Sequence, residues 1–362
     1  MMKKVVIALL ASCLLAGGVV DAQTATEIQG NAAAVGDDQV LPRSQGQVFR
    51  RYDLRPYTAR IDSSLTPQQA VVDWILRETG TATWFNEPLG FFSANRETLT
   101  VYHTPAVQRV VSELVDRLVH GVAEEIVIDV RLARITSPSW RVRAQPMMRP
   151  ISVAQPGVEA WVVSRENATV LYNTLARRAD FRESISRSLT LENGQPHTFV
   201  QRTPRRYLRT VRNSDRSDVR YESVAGEIQE GHQLELSCLV HDKQKTLDLF
   251  MKCRLDQVER FFPLAITLPS GGNQQSRLQV QVPQVSGWQC QERFRWPQDQ
   301  VLVVSFGVVP VPGPAPPTSL GIPNPFSTRP GRADAVMFVE YKGLVGDRLL
   351  EERTAKLPAV RR

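Results

Sequence analysis

Between Leu234 and Cys253 the chain spells out two strands and the way they pair. Leu234, Leu236, Cys238 and Val240 recur every second residue, and after Asp242–Lys245 the same alternation resumes as Leu247, Leu249, Met251 and Cys253. A period of two belongs to a strand with one face buried. With Asp242–Lys245 as the loop, His241 faces Thr246 and paired residue numbers sum to 487. Leu234, Leu236, Cys238 and Val240 then oppose Cys253, Met251, Leu249 and Leu247, so one face is wholly apolar and the other mostly polar. In this register Cys238 and Cys253 do not face each other, which argues against a disulfide between them.

Strand signals extend on both sides of this hairpin. Ile126, Ile128, Val130 and Leu132 alternate with Val127, Asp129, Arg131 and Ala133. A loop rich in Pro, Arg and Met follows over roughly 137–157, and Glu166–Arg178 reads as a short helix with Val170, Leu171, Thr174 and Leu175 inward. The strand SLTL runs into Asn193-Gly194, a hairpin turn signal, and on into HTFVQ. Further strands are expected from Leu278, Val280 and Val282, over Gln289–Phe294, and over the nearly unbroken apolar run Val301–Val309. Pro310–Pro330 holds eight prolines in 21 residues and predicts an extended, unpacked excursion before a last strand, Ala335–Tyr341, and a charged tail from Arg348.

Upstream the period changes. VFRRYDLRPY from Val48 predicts a short strand. Thr66 then caps a helix with Pro67 in its first turn and Ala70, Val71, Trp74, Ile75 and Glu78 at helical spacing. Trp84, Phe85, Phe91 and Phe92 cluster around Pro88 in strands or an irregular ribbon and read as core rather than a ligand cage. Leu99–His103 alternates as a strand. A second helix opens with Thr104 and Pro105, and Val107, Val110, Val111, Leu114, Val115, Leu118 and Val119 form its apolar stripe. The order is β-α-β-β-α in about 75 residues.

At 362 residues the chain is longer than one average core requires, so two domains are expected. After residue 22 no apolar stretch reaches the roughly 18 residues of a spanning helix, which excludes a helical membrane protein. The start reads as a secretory signal peptide: Lys3 and Lys4, an apolar run Val5–Val20, then Val20-Asp21-Ala22 at the cleavage position. Leu10-Ala11-Ser12-Cys13 also resembles a lipobox, so cleavage near Ala22 and lipidation at Cys13 both stay open. Either route exports the protein. The expected divisions are a signal peptide 1–22, a small, polar leader 23–47, the β-α-β-β-α module 48–122, a β-rich domain 123–343 containing the excursion 310–330, and a tail 344–362.

Little in the chain suggests chemistry. Without residues 1–22 the net charge of +7 becomes +6, since two Lys and one Asp are lost. The remaining cysteines are Cys238, Cys253 and Cys290, so at least one is unpaired within the chain; they read as small hydrophobes in strands. His103, His120, His197, His232 and His241 form no ligand spacing, and the last two fall on opposite faces of one strand. No nucleophile elbow, zinc-protease, phosphate-loop or dinucleotide pattern occurs, so the expectation is a non-enzyme without metal, cofactor or small-molecule substrate. The sharpest electrostatic feature is the run Arg202, Arg205, Arg206, Arg209, Arg212, Arg216 and Arg220. Arg202, Arg205, Arg206, Arg209 and Arg212 are the candidate contacts for an anionic surface, with nucleic acid disfavoured by export. The plainer alternative is a solvated loop between strands.

These parts in this order resemble the secretin family of outer-membrane secretion pores of type II and type III systems. ETLTVYHTPAVQRVVSELVDRLV is similar to the end of a secretin ring-building module, and EEIVIDVRLARI to the strand that opens the core domain. SLTLENGQPHTFVQ, EGHQLELSCLVHDKQKTLDLFMKCRL, WPQDQVLVVSFG and ADAVMFVEYKG resemble later core segments. The resemblance, spanning about 50–343, implies an α+β fold: a small ring-building module followed by a mainly antiparallel, β-rich secretin-like domain. It also implies a homo-oligomeric ring or pore of the outer membrane or periplasm, with other secretion-system components as partners. Departures set an alternative beside it, a soluble periplasmic or surface scaffold without a pore. The glycine-rich gate of secretins is replaced by the short span 137–157, Ser305-Phe306-Gly307 stands where a Gly-Gly pair is usual, and only one ring-type module precedes the core.

Overall fold

The computed structural model describes residues 45–121, 125–213, 221–241, 244–269, 275–311 and 331–346. The expected signal peptide, most of the leader, Pro312–Pro330 and the tail from residue 347 lie outside the described residues, as do Arg216 and Arg220. The chain divides into two compact units, 1–116 and 117–362.

The first unit contains β1 (Val48–Asp53), α1 (Arg55–Thr58), α2 (Pro67–Thr79), α3 (Ala82–Phe85), β2 (Phe91–Ala94) and β3 (Thr98–His103), and most of α4 (Pro105–Val119). Its antiparallel sheet has the order β1-β3-β2. The helices form where the 3.6-residue stripes are: α2 buries Ala70, Val71, Trp74 and Ile75, and α4 buries Val111, Leu114, Val115, Leu118 and Val119. Thr66 stands at the N-cap of α2 but its side chain makes no capping bond; Pro67 at the first helical position suits the start without it. Gln108 is the polar member of the α4 stripe. Its Nε2 donates to the carbonyls of Val48 and Val101, both at 2.9 Å, and its Oε1 accepts from Tyr52 Oη at 2.8 Å. The aromatic cluster is less of a core than expected. Trp84 is buried and meets Phe92 edge-on at 4.7 Å, whereas Phe85 is exposed and Phe91 stacks on Tyr102 at the surface.

The second unit holds β4 (Ile126–Ile135), α5 (Trp140–Ala144), β5 (Arg149–Ile151), β6 (Glu159–Ser164), α6 (Arg165–Ala176) and β7 (Phe181–Leu191). It continues with β8 (Pro196–Asn213), β9 (Tyr221–His241), β10 (Thr246–Pro269), β11 (Gln275–Pro297), β12 (Gln300–Val311) and β13 (Gly331–Leu344). Two antiparallel sheets result, ordered β5-β6-β12-β13-β4-β7 and β11-β10-β9-β8. The fold is therefore α+β and mainly antiparallel, as expected. One face of the six-stranded sheet packs on the base of the four-stranded sheet through Ile128, Val130, Leu302, Val304, Met337 and Val339 against Leu234, Leu236, Leu249, Met251, Phe294 and Trp296. The other face carries α5 and α6 over Trp140, Ala168, Leu171, Leu175, Val303 and Phe338. Both faces of the six-stranded sheet are covered, which is why Val301–Val309 reads as a continuous apolar run.

Several local expectations change. The span 137–157 is not simply loop, because Trp140, Ala144 and Met148 are buried and fold α5 and β5 into the outer layer. On α6 the inward stripe is Ala168, Leu171 and Leu175, and Val170 and Thr174 of the expected set are exposed. Asn193-Gly194 does not turn a hairpin. β7 pairs with β4 and β8 pairs with β9, so the chain crosses there from one sheet to the other. The crossing is held by Gly194 N–H donating to the Cys238 carbonyl at 2.6 Å and by Asn193 Oδ1 accepting from the Val240 N–H at 3.0 Å. The two strands expected near 278–282 and 289–294 are one strand, β11, bent at an irregularity opposite Val258/Arg260.

Candidate functional site

The β9–β10 register matches the sum of 487 throughout, from His241↔Thr246 to Gly231↔Asp256. Its apolar face is spent on the core. Leu234, Leu236, Cys238 and Val240, with Leu247, Leu249, Met251, Cys253 and Leu255, are packed against the six-stranded sheet, and Leu239 and Phe250 are buried as well, so this stretch presents no apolar face to a bilayer.

The core cluster ends at Leu255 on β10 and at Cys290, with Trp288 leaning on it, on β11. Beyond that line all four strands continue as an arm. The twelve residues Gln257–Leu268 alone span about 40 Å at strand rise. β8 is the extreme case: 18 residues, none buried, with only Phe199, Tyr207 and Val211 half-buried. One of its edges pairs with β9. Near the tip the sheet rolls: Leu208 N–H donates to Gln281 Oε1 of β11 at 3.0 Å, and Tyr207 stacks on Phe261 at 5.7 Å. On the opposite face, Phe262 and Val282 are cross-strand partners, as are Leu264 and Val280 and Ile266 and Leu278. Phe262, Leu264 and Val282 are 41%, 53% and 48% exposed, and the Arg260 guanidinium lies 3.9 Å from the centroid of the Phe262 ring. This outward apolar band was visible only as a continuing period of two; the proline at 263 and the bulge after Val258 interrupt it.

Arg202, Arg205, Arg206, Arg209 and Arg212 lie on β8, a strand, rather than in a loop. They do not gather into one surface. Arg205 approaches Glu230 at 3.5 Å, Arg212 pairs with Glu222, and Arg202 donates to Gln233 Oε1 at 2.9 Å. Arg206 and Arg209 make no ion pair or hydrogen bond among the described residues, and Arg206 shares its face with the exposed Leu208. Half-buried acids take up part of the charge: Glu230 also accepts from Gln257 Nε2 at 2.7 Å, and Glu259 accepts from Ser286 and lies 3.7 Å from Arg332.

At the foot of the arm, His232 is buried beside Arg134, Cys253 and Trp288, in a cavity of about 10 Å³. Burial first, and then the Arg134 charge, push its pKa down to about 4, so the ring is neutral at pH 7. His241 falls on the other face of β9, at its far end. A second, shallower hollow of about 180 Å³ lies between α6 and the sheet, lined by Asp129, Arg131, Tyr172, Glu340 and Lys342. Its charges answer one another: Lys342 Nζ is 2.8 Å from Glu340 and 3.9 Å from Asp129, and Arg131 lies over the Tyr172 ring. Among the described residues no three His, Cys, Asp or Glu side chains are placed to share a metal ion. No helix there is long and apolar enough to cross a membrane, a statement about helices only.

No family model matches the chain. No curated protein matches it either. Among solved structures it is similar to the InvG secretin-domain β-barrel of the Salmonella SPI-1 injectisome, at TM-score 0.25 and 11% identity over 82% of this chain and 87% of that one. It is likewise similar to the type II secretin GspD of enteropathogenic Escherichia coli, at TM-score 0.25 and 10% identity over 85% and 91%. Aeromonas hydrophila ExeD gives 0.24 and 11% over 86% and 68%. At such TM-scores the likeness carries no argument about function.

Proposed function

We propose that the chain is an exported subunit of an oligomeric assembly of the bacterial envelope, built on a secretin-like plan, and that copies join through the β8–β11 sheet. One observation carries this: an 18-residue edge strand with no buried residue. The edge of β8 that does not face β9 offers a row of backbone N–H and C=O groups to a neighbour over the stretch before Leu208. Strand addition between copies would generate a ring without any catalytic residue. The exposed Phe262, Leu264 and Val282, with Ile266 and Leu278 half-buried beside them, suit contact with lipid where such a ring meets the outer membrane. The finer reading is a pore for protein secretion with other secretion-system components as partners, and Arg206 and Arg209 as contacts for anionic groups.

A second reading, a scaffold of the same fold without a pore, is favoured by the rolled tip. There the arm's own edges meet through Leu208 and Gln281, which uses edge that a neighbour would otherwise take. Fractionation of native envelopes, then negative-stain microscopy of the unboiled, detergent-solubilised protein, separates the two. Heat-resistant rings in the outer-membrane fraction support the pore. A soluble monomer or small oligomer overturns it and leaves the scaffold.

A further inference from the structure

Cys253 on β10 and Cys290 on β11 are cross-strand partners in the β10–β11 register. Directly opposed residues of an antiparallel pair point to the same face, with Cα atoms about 4.5 or 5.5 Å apart, inside the range that a disulfide spans. Both side chains are buried in the core cluster between the two sheets. Cys238 has no such partner: it faces Leu249, while Cys253 faces Leu234 four residues further along β9, about 13 Å away at strand rise. The pair also sits at a particular place, two residues before Leu255 and Trp288, where the core gives way to the arm. Every residue of the β10–β11 arm, from Arg254 to Gln289, lies inside the loop that such a bond would close.

We propose that Cys253 and Cys290 form a disulfide that staples the base of the β10–β11 arm, and that the bond is made before the two sheets close over it. The oxidant is a small or protein disulfide, RSSR. One cysteine thiolate attacks it, giving a mixed disulfide and one RSH. The second thiolate then attacks the protein sulfur of that mixed disulfide and expels the other RSH. Two electrons pass from the cysteine pair to RSSR, and the two thiol protons end on the two RSH. The order of events follows from burial. Only a thiolate attacks a disulfide, and in the closed structure burial pushes both thiols up to about 12. The folded, reduced pair is therefore inert at neutral pH, whereas the open hairpin reacts at ordinary thiol rates. The inference does not rest on the oligomeric reading.

The test is cell-free synthesis of the full chain in a buffer of oxidised and reduced glutathione. The soluble product is alkylated under denaturing conditions and its peptides are mapped. The same reading is taken after refolding from urea in the same buffer. The expected result is a linked peptide pair carrying Cys253 and Cys290, two hydrogens lighter than the reduced pair, with Cys238 alkylated. Protein folded in the reduced state first, then exposed to the same buffer at pH 7, should stay unlinked, at least tenfold slower to react than the unfolded chain. Alkylated Cys253 and Cys290 after synthesis and refolding would overturn the proposal. So would a link to Cys238, or a chain that folds when reduced and fails to fold when linked. Equal reactivity of folded and unfolded chains would overturn the order of events.

Discussion

Asp334, near the start of β13, is buried, and four donors converge on it: Trp140 Nε1 at 2.8 Å, Arg141 Nε at 2.9 Å and Nη2 at 3.1 Å, and Ser305 Oγ at 2.7 Å. Arg141 also reaches Ser305 Oγ and Glu159, both at 2.6 Å. A buried carboxylate is tolerated because every lone pair is used, and the network fixes α5 on the outer layer. Asp334→Ala leaves the indole N–H without its acceptor and the guanidinium with Ser305 and Glu159 alone, and should lower stability by about 3 kcal/mol in urea unfolding. Asp334→Asn, whose one oxygen can still accept from Trp140 while its amide NH2 faces the Ser305 hydroxyl, should lose less. His232 makes a different prediction. Its folded pKa of about 4 lies below the ordinary 6.5, so the unfolded chain binds its proton first as pH falls. The stability tied to the neutral ring is complete above pH 6.5 and is lost progressively down to pH 4. The loss is roughly 3 kcal/mol. Urea midpoints of His232→Gln against the parent at pH 7 and pH 4 should show the parent losing that much more.

At the scale of elements, the arm begins where β9 has Gly231, at φ 141°, a region closed to other L-residues. A Cβ there would stand 2.1 Å from the Gln201 carbonyl oxygen on β8. Gly231→Ala should push β8 off β9, at a cost of about 1–3 kcal/mol. Amide exchange should show β8 deprotected while β10 and β11 keep their protection. The β9–β10 pairing was legible in the sequence because each strand sends every apolar residue to one side, and only one register joins the two sides. β6 was not. Glu159–Ser164 is a six-residue strand between β5 and β12, with Ala160, Val162 and Val163 buried, too short a run to announce itself. The Asn-Gly turn misled for a physical reason. Gly194 does adopt the left-handed backbone such a turn uses, at φ 84°, but the residues after it match β9 rather than β7. The arginines were legible as a run and not as a site, since their partners Glu222, Glu230 and Gln233 come from another strand.

For the second unit as a whole, the order β5-β6-β12-β13-β4-β7 puts β13 between β12 and β4, paired on both edges along most of its length. Deleting residues 331–346 should leave β4 and β12 with facing unpaired edges, and the truncated chain should move from the soluble to the insoluble fraction on expression. The antiparallel class was readable from period two alone. The strand order was not, because β13 pairs with β4 across some 200 residues. That keystone position also sets a clock. A ribosome delivers β4 early and β13 late, so the sheet cannot zip until the last strand has emerged. On the export proposed above, a sheet that waits for β13 stays open through most of synthesis, which delays collapse before the chain reaches its destination.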